Sequence, residues 1–288
     1  MIAMVVRFGV PCSFTADFAA YLTKIRDQGA SACQIWHSDR LLANFTNSLK
    51  THVENLDISV VLHLDFWFNA GNMKSSQNIR FLRKAIALAE STNGIGIFHP
   101  GYYNNVPFPE LKAEFVSLFE TIFSENTTNR PLLALENDGN KKAIGKIEHL
   151  AEIIHAVNDE RLTMTLDFGH FFARSNGKYP YTVEDFKEIL IQTEQGLGYK
   201  PFLFHSEGIQ YNNGSEVRHI TLKANEPPFP YLCIALQELN YEDFTMILET
   251  PEPLLDLSWA LQVWENPAIF AEKVPPRKPR DLLDYFTR

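Results

Sequence analysis

Six short hydrophobic runs in this 288-residue chain each end on a side chain that can bind a metal ion. They read VVLH ending on His63, GIFH on His99, LALE on Glu136, MTLD on Asp167, FLFH on His205 and MILE on Glu249. Strands buried on both faces do not carry polar groups casually, since an unpaired buried polar group costs roughly 2–7 kcal/mol. Gathered at a rim, three neutral imidazoles and three carboxylates suit zinc or manganese, and a carboxylate can bridge two ions. Each of the six taken singly is better explained as a solvated or capped strand end. Their recurrence on successive runs calls for a common chemical cause. Two further histidines, His170 just past Asp167 and His219 in the Gly214–His219 segment, could together hold another ion. His52, His149 and His155 fall in helical stretches and read as ordinary face residues, whereas His37 after the second run is open to either reading.

The elements that must position these residues alternate along the chain. Strand patterns cover Val5–Val10, Ala32–Trp36, Ser59–His63, Gly96–His99, Leu132–Glu136, Leu162–Asp167, Phe202–His205 and Thr245–Glu249. Between them, Phe14–Arg26, Arg80–Glu90, Glu110–Phe123, Ile144–Val157, Val183–Thr193 and Tyr231–Leu239 carry apolar residues at helical spacing. Apolar strands alternating with helices imply a parallel sheet covered by helices. Eight such repeats favour a closed (β/α)8 TIM barrel in a single domain, with the strand-end residues at its C-terminal mouth. An open doubly wound sheet is the alternative, because periodicity does not establish closure. The barrel is expected over 1–272, followed by a Pro-rich basic tail over 273–288 that reads as a surface strap.

Composition sets outer bounds. At 45% hydrophobic and 21% charged residues the chain has the makings of a sizeable core. It lacks the run of ~18 apolar residues that a membrane span needs. The opening Met1–Arg7 reads as a first strand, without a secretory leader's apolar region. Isolated Cys12, Cys33 and Cys233 point to a reducing, cytoplasmic setting and away from a disulfide framework or cysteine zinc site. A net charge of −9 argues mildly against nonspecific polyanion binding, yet leaves room for a local basic groove. A monomer is favoured.

The motifs resemble those of endonuclease IV, the metal-dependent apurinic/apyrimidinic endonucleases of the xylose-isomerase-like barrel superfamily. Phe98-His99-Pro100-Gly101 is similar to that family's FHPG, Leu135-Glu136-Asn137 to its EN motif and Leu248-Glu249-Thr250-Pro251 to its LETP. Leu166-Asp167 through His170 resembles LDTCH, and His63 with Phe66-Trp67-Phe68-Asn69 resembles H-x-x-Y-L-I-N. His205, with Gly214-Ser215 nine residues on, repeats the H-x-N-D…G-S spacing. The resemblance spans about residues 30 to 255.

The resemblance implies that His63, His99 and Glu136 surround one zinc ion. Glu136 would bridge to a second ion held by Asp167, His205 and Glu249. A third ion would use His170 and an Asp-x-His pair, but V-D-R-H is here Val217-Arg218-His219, without the aspartate. Glu216 lies three residues before His219 and is not expected to project beside it from a regular extended segment. Other departures affect DNA contact. GAHxS becomes Gly9-Val10-Pro11-Cys12-Ser13, the tyrosine of H-x-x-Y becomes Phe66, and Asn-Asp after the seventh-strand histidine becomes Glu207-Gly208. Arg40 is the obvious phosphate contact left in the loop after the second strand.

The expected activity is therefore cleavage of DNA 5′ to abasic sites. Zinc is expected at two positions, manganese being the alternative ion, with Glu136 and Glu249 as catalytic carboxylates. Arg40, Phe66, Trp67 and Tyr102 are the candidates for touching the duplex. A sugar or sugar-phosphate isomerase or epimerase is the second reading. It needs one ion at Glu136, Asp167, His205 and Glu249, and the two glutamates would exchange protons beside a carbonyl. A metal-binding barrel without activity, serving as an interaction module, is the third.

Overall fold

Alternation along the strands decides where each candidate side chain points. The structure, a computed structural model, describes residues 5–15, 17–36, 45, 47–64, 76–125 and 127–276. Among them the strands β1 (Val6–Cys12), β2 (Ala32–Trp36), β3 (Ser59–His63), β4 (Ile95–Phe98), β5 (Leu133–Glu136), β6 (Leu162–Asp167), β7 (Leu203–Ser206) and β10 (Phe244–Leu248) are parallel neighbours. They close in the order β1-β10-β7-β6-β5-β4-β3-β2, a (β/α)8 barrel. The open-sheet alternative is excluded by the pairing of β1 with both β10 and β2.

Successive strand residues face opposite sides. Ala32, Val61, Ile97, Ala134, Leu203 and Ile247 pack together as one buried layer, apart from the larger cluster that includes Leu62, Phe98, Leu135, Leu166, Phe204 and Leu248. The first set fills the barrel and the second meets the helices. Two residues beyond each member of the inner layer stand Gln34, His63, His99, Glu136, His205 and Glu249. The period of two thus carries the inward direction one step further, to the mouth. Asp167 holds the corresponding place at the end of β6, whose six residues are all buried.

The outer helices bury one face each. Helix Phe108–Phe123 starts with proline in its first turn and turns Leu111, Phe115, Leu118, Phe119 and Ile122 inward at three- and four-residue spacing. Helix Val183–Leu197 is bounded by a reciprocal capping box between Thr182 and Asp185 and by Gly198 at φ 79°. Helix Phe168–Arg174 follows β6 without a loop because Asp167 caps it, its Oδ1 accepting the His170 backbone N–H at 2.7 Å. That immediate turn aligns His170 with the mouth.

An antiparallel hairpin that the strand-helix pattern does not announce also stands at the mouth. Its strands are β8 (Gly208–Asn212) and β9 (Ser215–Ile220), turning through Asn213 and Gly214 at φ 52° and 74°. An Asn-Gly pair with both φ positive is what a tight two-residue hairpin turn requires. Beyond the barrel, Val274 is buried and the Tyr181 hydroxyl donates to the Pro275 carbonyl at 3.0 Å. The expected tail thus begins pinned to the body, and residues 277–288 lie outside the described set. No helix of the described residues is long and apolar enough to cross a membrane. The three cysteines are buried and unpaired.

Candidate metal centre

Glu136 sits at the centre of the mouth, with no exposed surface. Its Oε1 lies 2.7 Å from His205 Nδ1, and its Oε2 lies 3.4 Å from His63 Nε2 and 3.5 Å from His99 Nε2. The same His205 Nδ1 is 3.9 Å from Asp167 Oδ2 and 3.7 Å from Glu249 Oε1. Ligand atoms converge in four overlapping sets, each within 4.8 Å: His63, His99 and Glu136; Glu136, Asp167, His205 and Glu249; His170, Glu216 and His219; and Glu207, His219 and Glu249. All eight residues expected as ligands are thereby brought together, and Glu136 belongs to two of the sets.

Glu216 joins them against expectation. In a regular strand, residues three apart face opposite sides. Here Gln210 pairs with Arg218 and Tyr211 with Glu216, so Val217 is an extra, exposed residue in a β-bulge. The bulge re-aims the segment. Glu216 Oε2 then lies 3.0 Å from His170 Nε2 and its Oε1 3.1 Å from His219 Nε2. The glutamate on a bulged strand thus supplies a carboxylate between His170 and His219.

The histidines are held in the manner that suits metal ligands. His63 Nδ1 donates to the Leu64 carbonyl at 3.1 Å, His170 Nδ1 to the Asn137 carbonyl at 2.7 Å and His219 Nδ1 to the Glu249 carbonyl at 2.6 Å. A carbonyl only accepts, so Nδ1 carries a hydrogen and Nε2 faces the cluster, the atom that a cation would take in place of a proton. Asn137 braces the base of the site, donating from its amide to the Asp167 carbonyl at 2.8 Å and accepting from the Asp167 N–H at 2.7 Å. Several inner atoms have no hydrogen-bond partner: Glu136 Oε2, Asp167 Oδ2, His205 Nε2 and both oxygens of Glu207. Orphaned buried carboxylate oxygens beside oriented imidazoles form a donor set that could hold a divalent cation.

The electrostatics show how strongly this cluster demands positive charge. Burial alone would raise the Glu136 carboxyl, but His205, His99 and His63 hold it well below the usual carboxylate range. Burial opposes charge on His205, yet Glu249 and Glu136 push it up to about 9. Burial likewise works against His170, and Asp167 and Glu216 override it to leave the imidazole well above its ordinary value. Glu216 is resisted by burial and held low by its hydrogen bonds to His170 and His219. Burial and the neighbouring Asp167 charge drive Glu207 well above the carboxylate range.

Three members of the neighbourhood escaped the sequence reading. Gln34 is fully buried and donates its amide to Glu249 Oε1. Its signal was the two-residue step from Ala32. Trp36, whose ring centroid is 4.4 Å from that of His63, is 42% exposed at the rim. Glu207, fully buried, registered only as a departure from a motif. Tyr102 stands at the rim, its backbone bridged to Ala143 and its side chain 43% exposed. Arg40, Phe66 and Trp67, like His37, lie outside the described residues. His149 is a packing residue, stacked on Phe108 at 3.6 Å.

Gly169 makes room for Glu207. A Cβ at that position would lie 1.7 Å from Glu207 Oε1. Alanine in a helix is ordinarily better than glycine by about 1 kcal/mol. Here the displaced buried carboxyl outweighs that gain, and Gly169→Ala is expected to destabilise the fold by roughly 1–3 kcal/mol. Adding Glu207→Ala should restore most of the loss. Urea denaturation of the two single variants and the double variant measures this coupling, and additive losses would contradict the contact.

Comparison with known proteins agrees with this architecture. The family model described as xylose isomerase-like TIM barrel matches residues 22–270. An uncharacterized protein of Methanocaldococcus jannaschii is 27% identical over 257 residues, covering 84% of this chain and 90% of its own length. Among solved structures, a D-tagatose 3-epimerase-like protein superposes with TM-score 0.70 at 21% identity, covering 93% of this chain and 100% of that one. A xylose isomerase domain protein from Planctomyces limnophilus gives TM-score 0.63 at 14% identity, covering 94% and 99%. At such identities the structural likenesses speak for the fold alone.

Proposed function

Since the chain belongs to the xylose isomerase-like TIM barrel family, we propose that it is a metal-dependent phosphodiester hydrolase that cleaves DNA 5′ to abasic sites. The observation that carries this reading is the place of Glu136 in two ligand sets at once, with the His170, Glu216 and His219 set beside them. A carbonyl can be polarised by one ion, whereas adjacent cations suit the attacking and leaving oxygens of a phosphodiester. When bound, such ions supply a hydroxide near neutral pH and neutralise charge on the phosphate.

The chain's own residues have separate tasks in this reading. His63 and His99 give one set its nitrogen-rich, zinc-favouring character. Glu136 joins that set to the next, and its buried carboxylate is placed to orient a water between them. Asp167, His205 and Glu249 complete a mixed set suited to zinc or manganese. The exposed rings of Trp36 and Tyr102 offer faces for an unstacked base or sugar, and Arg40, Phe66 and Trp67 are proposed as further contacts to the duplex.

A sugar isomerase or epimerase is favoured by one observation. Glu136, Asp167, His205 and Glu249 alone form a complete buried set for a single ion, with two glutamates available for proton exchange. A duplex carrying one tetrahydrofuran abasic analogue separates the readings. The hydrolase should incise it on the 5′ side and lose that activity with EDTA. Absence of incision at micromolar, metal-loaded protein, together with interconversion of ketoses or sugar phosphates, would overturn the proposal in favour of the isomerase.

A further inference from the structure

Glu207 has no task in the function proposed so far. It follows β7 directly, its side chain is fully buried, and neither carboxylate oxygen has a hydrogen-bond partner. A carboxylate in that position costs several kcal/mol unless a cation or proton meets it. Its neighbours narrow the choice. Asp167 is a second carboxyl with which it can share at most one proton, and no Lys or Arg side chain reaches it among the described residues. Ligand atoms of Glu207, Glu249 and His219 lie within 4.8 Å of one another. Gly169 keeps the space that this carboxyl occupies.

We propose that Glu207 is a metal ligand, binding a divalent cation together with Glu249 and His219 and giving this part of the cluster an oxygen-rich character that favours manganese. Glu249 also belongs to the set with Glu136, Asp167 and His205, while His219 belongs to the set with His170 and Glu216. The Glu207 set therefore shares one ligand with each of two neighbouring sets. A site with one imidazole and two or more carboxylates is harder than the His63, His99 and Glu136 set, and hard divalent ions prefer oxygen. The inference rests on the metal centre proposed above but not on DNA as the substrate.

The test uses the full chain, stripped with EDTA and titrated with Mn2+ alone, free ion being counted by electron paramagnetic resonance. Glu207→Gln keeps the shape and removes the charge. Its Mn2+ affinity for one equivalent should fall at least about 10-fold, a loss on the scale of removing a group that supports a metal site. Glu207→Asp, which keeps a carboxylate, should fall between the two. Without metal, Glu207→Gln should melt at or above the wild-type temperature, since glutamine keeps the shape of the buried carboxyl and cannot ionise. Unchanged Mn2+ stoichiometry and affinity in Glu207→Gln would overturn the proposal. So would a marked drop in its metal-free melting temperature, which would make the carboxyl a structural group. Neither readout requires a substrate, so a failure to incise abasic DNA leaves this test standing.

Discussion

Glu136→Gln is expected to leave a folded barrel that holds at least one fewer divalent ion per chain and incises an abasic duplex roughly 10³-fold more slowly, the scale on which loss of one aimed electrostatic partner acts. Glutamine has the right shape, but it carries no charge and replaces one acceptor with a donor. Glu136 now faces His205 with Oε1 and both His63 and His99 with Oε2. An amide cannot accept on both sides, and it cannot hold two cations together. In the metal-free protein the substitution also removes the negative charge at the centre of a buried cluster, where breaking a paired charge costs about 3–5 kcal/mol. Metal content by plasma mass spectrometry, initial incision rate and thermal melting measure the three effects. A variant that retained the full complement of ions and near wild-type incision would remove both the bridging role and the hydrolase reading. Retained ions with lost incision would confine Glu136 to orienting the attacking water.

The residues that open this argument were legible because strand alternation and strand burial coincide. A polar residue closing a buried run such as Leu133–Glu136 has to sit at the barrel mouth, so the pattern alone marks Glu136 and its counterparts. The same rule, applied to Ala32, would have produced Gln34. Gln34 is not marked by the sequence because an amide does not announce metal chemistry. The short helix Phe168–Arg174 was missed for a different reason. Asp167 ends a strand and caps a helix in a single residue, leaving no loop for a pattern to mark. Glu216 was misjudged because a bulge depends on pairing between two strands, and residue spacing along β9 alone does not reveal that Val217 is extra. Glu207 is a consequence of tertiary packing, since its burial depends on the space left by Gly169 across a neighbouring strand end. Local periodicity thus finds the ligands that continue a strand, and contacts between elements decide the rest.

Removing the metal should reverse the way stability depends on pH. In EDTA, His205 has its folded-state value raised from 6.5 to about 9. Its contribution is therefore fully present below about 6.5 and lost as pH rises through about 9. That shift is worth on the order of 3 kcal/mol for a group with no exposure. His170 and His219 are raised as well and act with the same sign. Glu136, Glu249 and Glu216 are depressed, so their contributions appear above the ordinary carboxylate value near 4.5 and vanish as pH falls. Asp167 and Glu207 are raised, so their contributions also fall as pH rises above the ordinary carboxylate value. The stripped protein should consequently be most stable at about pH 5 and should lose melting temperature steadily toward about pH 9. Cations bind only the deprotonated imidazoles, so they compete with the same protons. The stabilisation from added Mn2+ or Zn2+ should grow as pH rises over that window, reaching about 2.7 kcal/mol where the free ion exceeds its dissociation constant 100-fold. Melting curves at pH 5.5, 7 and 9, with EDTA and with metal, give the two slopes directly. Calorimetric titration in two buffers of different ionisation enthalpy should show protons released on metal binding. Parallel pH profiles with and without metal, or binding without proton release, would mean that these histidines do not meet the ion.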